Sequence, residues 1–363
     1  MKKRYNYRIY PNKIQQSYLE SIFNINRYIW NQFLAANIRY YNHSKKFHFF
    51  NEMSSILTEC KNIEGYEWLY DVPSSSLQHT LIQLERAIKD SYRKQKGFPK
   101  FKKKYDKNSF TLTGNQYSIK VNKLRIANQK SLMKVRWHRE LPSKPTSCTI
   151  AKDNIGRYYV SFVVEVESKI VTYTNSKIGL DLGIETFCTT SDGEKYKLPD
   201  LKTLYKKVKR QQKELSRKKK GSNNFKKHKL KLAKTHMKIV DIRTDFHNKL
   251  VSTLINENQV ISIETLKVKE MLMKSNKSLS KLAGQQGWSS FITKLISKAS
   301  ECNRIIHKAD TYYPSSQLCS NCGYKWGRLN LSIRTIKCQE CLVEHERDIN
   351  AAKNMLNNYL KTI

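Results

Sequence analysis

Apolar positions change their period several times along the chain, and each change marks an element. Residues 3–10 alternate as one strand, and Pro11-Asn12 breaks it. From Ile14 the spacing turns helical through Tyr18, Leu19, Ile22, Phe23, Tyr28, Ile29, Phe33 and Leu34. A second helical stretch runs from Ser74 to Arg93 on Leu77, Leu81, Leu84 and Ile88, with Ser74 and Ser75 as expected caps. The basic loop Gly97-Phe-Pro-Lys-Phe101 follows, and the period then drops to two. Phe110/Leu112, Tyr117/Ile119/Val121, Leu124/Ile126, Val135/Trp137 and Tyr158 to Val166 predict short strands, with a hairpin turn at Asp153-Asn-Ile-Gly156. The pattern predicts a small antiparallel barrel whose first strand comes from the N-terminus, with a helical module inserted at 12–104.

The next helical stretch is different in kind. Leu204, Val208 and Leu215 precede Gly221-Ser-Asn-Asn224, and Leu230, Ala233, Met237, Val240, Val251 and Leu254 follow it. This is a helical hairpin over 201–254 with one thin apolar seam. Between Lys202 and Lys238 stand sixteen Lys/Arg and one acid, Glu214. Those cations cannot be neutralised locally, so they point to phosphates, with Lys206, Lys207, Lys209, Arg210, Arg217, Lys218, Lys219 and Lys220 as the expected contacts.

The whole chain shares this bias. Its 363 residues carry 68 Lys+Arg against 30 Asp+Glu, a formal net charge of +38, which makes nucleic acid the expected partner. Apolar runs are short and broken by charge, so no membrane span is expected, and Met1-Lys-Lys-Arg lacks the apolar stretch of a secretory signal. Cys60, Cys148, Cys188 and Cys302 are scattered singly, as reduced thiols of a cytoplasmic protein would be.

Two constellations carry chemistry. Cys319-Ser-Asn-Cys322 and Cys338-Gln-Glu-Cys341 are separated by fifteen residues, the spacing of a closed four-thiolate structural zinc ribbon. The second is acidic. Asp181 lies in the apolar strand Lys177-Ile-Gly-Leu-Asp181. Further strands at Phe187-Cys-Thr-Thr190 and Lys195-Tyr-Lys-Leu198 then give the antiparallel start of a ribonuclease-H-like sheet. Glu264 ends the strand Val260-Ile-Ser-Ile263, and Asp348 opens the last helix. Such acids are costly in apolar strands unless paired or metal-bound. Three together repel by roughly 1–4 kcal/mol per pair at ~4 Å. Magnesium would relieve that repulsion, and two ions would serve phosphodiester cleavage.

Three segments together resemble the TnpB (OrfB-type) family of transposon-encoded RNA-guided DNA endonucleases, relatives of compact type V CRISPR effectors. They are Gly179-Leu-Asp181-Leu-Gly183-Ile184, Ile261-Ser-Ile-Glu264-Thr-Leu266, and Glu346-Arg-Asp348-Ile-Asn350-Ala-Ala-Lys-Asn354, with the cysteine ribbon between the last two. Weaker markers are Gly97-Phe-Pro-Lys-Phe101, His138-Arg-Glu-Leu-Pro142, Arg243-Thr-Asp-Phe-His247-Asn-Lys-Leu250 and Gly287-Trp-Ser-Ser-Phe291. The resemblance implies an α/β architecture: a wedge-like barrel (1–11 and 105–174), a helical recognition lobe (12–104), a RuvC-like nuclease (175–313 and 342–363) and a zinc ribbon (314–341). It implies Asp181, Glu264 and Asp348 as catalytic metal ligands, with Arg347 and Asn350 beside them to orient a ligand or phosphate. It further implies a guide RNA from the transposon end, a double-stranded DNA target with a short flanking motif, action as a monomer, and a prokaryotic location on the nucleoid. Other functional classes are an RNA-guided repressor that does not cleave and a DNA transposase.

Overall fold

The computed structural model describes residues 1–167, 172–266, 273, 277–327, 329, 330 and 332–362. The chain forms two compact units, Met1–Glu167 and Ser168–Ile363. The junction expected near 174 adjoins 168–171, outside the described residues.

The first unit combines a seven-stranded antiparallel sheet with three helices. Its strands are β1 (Lys2–Tyr10), β2 (Asn108–Thr113), β3 (Tyr117–Lys120), β4 (Lys123–Ile126), β5 (Met133–Arg136), β6 (Ser147–Lys152) and β7 (Tyr158–Glu165), ordered β2-β6-β7-β1-β5-β4-β3. The N-terminal strand thus pairs between β7 and β5. Strands β2 and β3 occupy opposite edges, yet only residues 114–116 join them, so the sheet must curl until its edges approach. Helices α1 (Lys13–Ser44), α2 (Phe50–Lys61) and α3 (Ser74–Tyr92) complete the unit. Asn12 starts α1 with a reciprocal cap: its Oδ1 accepts from Gln15 N at 2.8 Å, and its N–H donates to Gln15 Oε1 at 3.0 Å. The apolar rows meet in one core that includes Leu19, Ile22, Leu34, Leu77, Leu81, Leu84, Phe110, Val160 and Phe162.

Two local expectations are corrected. Ser74 and Ser75 do not cap α3; Pro73 holds the cap position with no side-chain bond, and its fixed φ orders the entry instead. Val121 does not continue β3. It lies 89% exposed with φ 45°, and with Asn122 at φ 55° it makes the two-residue turn between Lys120 and Lys123. The alternation runs through a turn there because Val121 happens to fall in phase.

The second unit is built on a five-stranded mixed sheet. Strands β8 (Lys177–Asp181), β9 (Cys188–Thr190), β10 (Lys195–Tyr196), β11 (Val260–Glu264) and β12 (Ile305–Ala309) are ordered β10-β9-β8-β11-β12. The first three pair antiparallel, whereas β11 runs parallel to both β8 and β12. This is the ribonuclease-H-like sheet that the pattern predicts. Between β10 and β11 lie α4 (Lys202–Ser216) and α5 (Asn223–Glu257); α6 (Lys277–Gln286) and α7 (Trp288–Glu301) precede β12. The final elements are β13 (Thr335–Lys337), β14 (Glu344–Glu346) and α8 (Arg347–Leu360).

The two sheet faces do different things. Ile178, Leu180, Ile261 and Ile263 join the core formed with Leu250, Leu254, Phe291 and Leu295 of α5 and α7. On the alternate face, Gly179 and Ser262 are small because they meet the backbone of α8. A Cβ on Gly179 would stand 2.0 Å from Ala352 O and 2.8 Å from Leu356 N. Next to it, Ser262 Oγ donates to Met355 O at 2.6 Å. Any side chain at 179 therefore displaces the helix.

The seam of the helical hairpin is also corrected. Leu201, Val208 and Ile239 are buried, packed by Leu204, Tyr205, Leu232 and Ile242. Leu230 and Val240, expected in the seam, are 41% and 39% exposed. The inward row of α5 centres on buried Thr235 and Ile239, flanked by partly buried Leu232 and Ile242, so polar Thr235 occupies a seam position.

Gly179→Ala should destabilise the second unit by about 3 kcal/mol or more, since the clash is with helix backbone that no rotamer change relieves. Denaturant unfolding monitored on the second unit checks this; a loss under about 1 kcal/mol would mean that α8 has room to move.

Candidate metal centres and nucleic-acid surface

Strand period and register assemble the acidic site. Asp181 and Glu264 lie two residues beyond Gly179 and Ser262, on the face that α8 covers. The pairing Ser262↔Gly179 and Ile263↔Leu180, continued by one step, sets Glu264 opposite Asp181. Asp348 sits in the first turn of α8, one turn before Ala352. Because Ala352 rests on Gly179, Asp348 is carried toward the strand ends that bear the other two acids. The helix N-terminus also favours a negative group there.

The electrostatics agree with that placement. Burial, followed by the Asp348 and Glu264 carboxylates, pushes Asp181 up to about 7, against the opposing pull of Arg347. Glu264 is raised by burial. All three acids are only partly buried, so a ligand can reach them. A proton that the unfolded chain releases near its ordinary 3.8 is held to about 7 in the fold. Stability therefore falls as pH rises through that window, unless a cation replaces the proton. Among the described residues the three carboxylates are not gathered as closely as the cysteine sulfurs, but they offer the oxygen donors that hard divalent ions take.

Cations surround the acids. Arg334 bonds Glu185 at 2.7 Å and stands 3.7 Å from Asp348, and Lys195 pairs with Glu346. Arg347 donates to Asn330 O at 2.7 Å and Ile333 O at 3.4 Å, which ties the helix start to the loop before β13. Arg334 carried no sequence signal, because its contacts come from a distant loop.

The four cysteines form the other centre. Among the described residues, Cys319, Cys322, Cys338 and Cys341 are the group of such ligand atoms gathered closely enough for one metal, all within 4.8 Å of one another. Cys319–Cys341 and Cys322–Cys338 are each 3.6 Å apart, close to the separation of about 3.8 Å that follows from four Zn–S bonds of about 2.3 Å in a tetrahedron. The residues present therefore fit zinc. The two knuckles repeat each other. Gly323 N donates to Cys319 O at 2.9 Å and Leu342 N to Cys338 O at 3.1 Å. Both following residues are left-handed, with φ 80° at Gly323 and 60° at Leu342. Leucine tolerates this only at a cost of about 1–2 kcal/mol. The Val343 amide lowers the Cys341 thiol to about 6, favouring the thiolate. His345 went unremarked in the sequence; its Nε2 lies 3.1 Å from Cys319 Sγ, poised to donate to the sulfur.

Asn350 plays a different part from the expected ligand-orienting one. Buried to 1% exposure, it accepts from Ser320 N at 2.8 Å and donates to Leu318 O at 2.7 Å. Asn354 donates to Ser315 O and Leu318 O, and Asn357 to Ser320 O. The 350/354/357 spacing makes one helix face, so α8 clasps the first knuckle while Ala351, Ala352 and Met355 are buried towards the sheet. The weaker marker at 243–250 also has structural work. Arg243 donates to Gln285 O at 2.9 Å, and His247 Nε2 meets Gln286 O at 3.1 Å, together binding α5 to the α6–α7 corner. Burial first, then Arg243 and Lys294, holds His247 down at about 4, hence neutral.

The predicted phosphate contacts lie on the helical hairpin. Lys206, Lys207, Lys209 and Arg210 project from α4, and Arg217, Lys218, Lys219 and Lys220 lead into the turn; all but half-buried Lys218 are exposed.

An OrfB/IS605 family model described as "Probable transposase" matches residues 161–275, and a "Cas12f1-like, TNB domain" model matches 288–355. An OrfB/IS605 "Helix-turn-helix domain" model matches 1–46, a stretch that folds as β1 followed by the single helix α1. A Streptomyces pristinaespiralis protein named "Putative RNA-guided DNA endonuclease" is 32% identical over 360 residues, covering 98% of this chain and 89% of the relative. Escherichia coli K12 has a protein named "Putative RNA-guided DNA endonuclease InsQ" that is 29% identical over 347 residues, covering 91% and 85%. The fold is similar to that of a protein solved by cryo-EM in a Cas12f1–sgRNA–target DNA complex. The TM-score is 0.59 at 15% identity, covering 96% of this chain and 84% of that one.

The purified chain should hold one zinc. Its removal by a chelator should open β13–β14, since structural zinc contributes about 10–16 kcal/mol in small peptides. Asn350→Ala should speed chelator-driven release severalfold by leaving Ser320 N unsatisfied. Hydrogen exchange showing the Cys338 and Leu342 amides still protected in metal-free protein would contradict this.

Proposed function

Because the chain belongs to the TnpB (OrfB-type) family of RNA-guided DNA endonucleases, we propose that Asp181, Glu264 and Asp348 are its catalytic residues and hold two magnesium ions. The protein is a metal-dependent DNA endonuclease. The observation that carries the site assignment is the convergence of three acids from β8, β11 and α8 on one sheet face, with Asp181 raised by burial first and then by the other two. When bound, the ions polarise the attacking water and neutralise charge on the leaving oxygen.

The chain's own groups supply position. Asp181 and Glu264 are fixed by paired strands, so the spacing of their oxygens varies little. Asp348 moves only with α8. Arg334, close to Asp348, is placed to meet a phosphate oxygen of the scissile strand. Four-thiolate zinc takes no part in the reaction and keeps α8 seated.

A guide RNA made from the transposon end pairs with one strand of a double-stranded DNA target, and the protein reads a short flanking motif. The barrel and helical lobe serve as the wedge and recognition parts that hold guide and flank. The basic hairpin, through Lys206, Lys207, Lys209, Arg210 and Arg217 to Lys220, holds backbone phosphates. The chain acts as a monomer on the prokaryotic nucleoid. Among the described residues no helix is long and apolar enough to cross a membrane.

The test is cleavage with the co-purified RNA as guide, sequenced to define a matching plasmid target. Asp181→Ala, Glu264→Ala and Asp348→Ala should each lower cleavage at least about 100-fold, since each removes several kcal/mol of metal-borne stabilisation. Target binding should stay within about twofold, because phosphate contacts lie elsewhere. Near-normal cleavage by any one variant would remove that acid from the site.

A further inference from the structure

The cleft between α4 and α5 has a polarity that phosphate binding alone does not explain. It encloses about 490 Å³ between Lys207 and Arg210 on one helix and Lys231, Lys234 and Lys238 on the other. The three- and four-residue spacing of these cations repeats them along both walls with each helical turn, about 5.4 Å. One carboxylate, Glu214, faces them; it is shared by Arg210 at 3.7 Å and His228 at 3.8 Å. A volume of this size suits a small ligand or a short piece of one strand, not a duplex about twice as wide as a helix.

The floor is different from the walls. Gln211 and Thr235 line it, 8% and 7% exposed. Gln211 Oε1 is buried without any hydrogen-bond donor. Thr235 Oγ1 donates to Lys231 O at 3.2 Å, which leaves its lone pairs to accept. Two acceptors at the base of a cationic cleft cannot be satisfied by phosphate oxygens, which are acceptors themselves. They call for a ligand that turns anionic groups toward the rim and a donor toward the floor. The sugar edge of RNA has that arrangement, because the ribose 2′-hydroxyl donates and DNA lacks it.

We propose that this cleft binds a single RNA strand and that Gln211, with Thr235 beside it, reads a ribose 2′-hydroxyl. The site thereby distinguishes RNA from DNA along the same basic hairpin. The proposal rests on the RNA-guided reading above and adds a residue-level reader to it. Turning the Gln211 side chain slightly toward the cleft brings the buried acceptor to the ligand and removes the unmet bond.

The probe is the chain's own co-purified RNA, resynthesised with single 2′-deoxy substitutions and bound in competition with unmodified RNA. Wild-type protein should show one or two positions at which the substitution weakens binding about fivefold to tenfold, the size of one hydrogen bond. Gln211→Leu should erase the effect at those positions. Gln211→Glu, which keeps an acceptor, should retain it despite weaker overall binding. If Gln211→Leu fails to melt like wild type, Thr235→Val, which removes the neighbouring acceptor with little change of shape, should blunt the same positions. An unchanged profile in these variants, or no sensitive position in wild type, overturns the proposal while leaving RNA guidance standing. Equal sensitivity loss in Gln211→Leu and Gln211→Glu would assign the amide N–H to a phosphate and also overturn it. Absence of any bound RNA would instead remove the functional reading itself.

Discussion

The second unit depends on the seating of α8 directly on the backbone of β8. Gly179 permits it, since even a methyl group would stand 2.0 Å from Ala352 O. Ser262 adds a bond to Met355 O from the neighbouring strand. The helix opens with Asp348 one turn earlier, so the close approach determines where that acid lies relative to Asp181 and Glu264. The opposite flank of the helix grips the first cysteine knuckle through Asn350, Asn354 and Asn357. One helix thus positions a carboxylate, closes the sheet and anchors the ribbon. Disturbance at any of these contacts should reach the other two.

That coupling links the acidic site to the cysteine cluster through one helix. Burial first, and then the Asp348 and Glu264 carboxylates, make ionised Asp181 costly. The four cysteines lie on the far side of α8, where a metal held by them would order the knuckle that the helix grips. The same logic accounts for the strained Leu342, which the thiolate cage retains at a left-handed position.

Much of this was legible in the residues. Four cysteines at knuckle spacing and acids isolated in apolar strands carry their chemistry in their type and position, and β8 to β11 followed from short apolar runs, whereas β12 and the strand order did not. Other features were not legible, for physical reasons. The seam of α5 runs through Thr235, so a search for apolar residues settles on the adjacent exposed row of Leu230 and Val240. Val121 shares the alternation of β3 but lies in its turn. Asn350 looked like a ligand-orienting group because it neighbours Asp348 in sequence, whereas helical geometry turns it to the ribbon side. His345 and Arg334 act across long separations, which local pattern does not report.

The most direct test of this account leaves every acid and every cysteine in place. Manganese binding to the RNA-loaded protein, followed by electron paramagnetic resonance, should show ions held at the acidic centre in the wild-type chain. In Gly179→Ala, with α8 pushed from the sheet and Asp348 carried away, those ions should be lost or bound far more weakly. Wild-type stoichiometry and affinity in that variant would contradict the claim that the close packing of α8 on β8 builds the site.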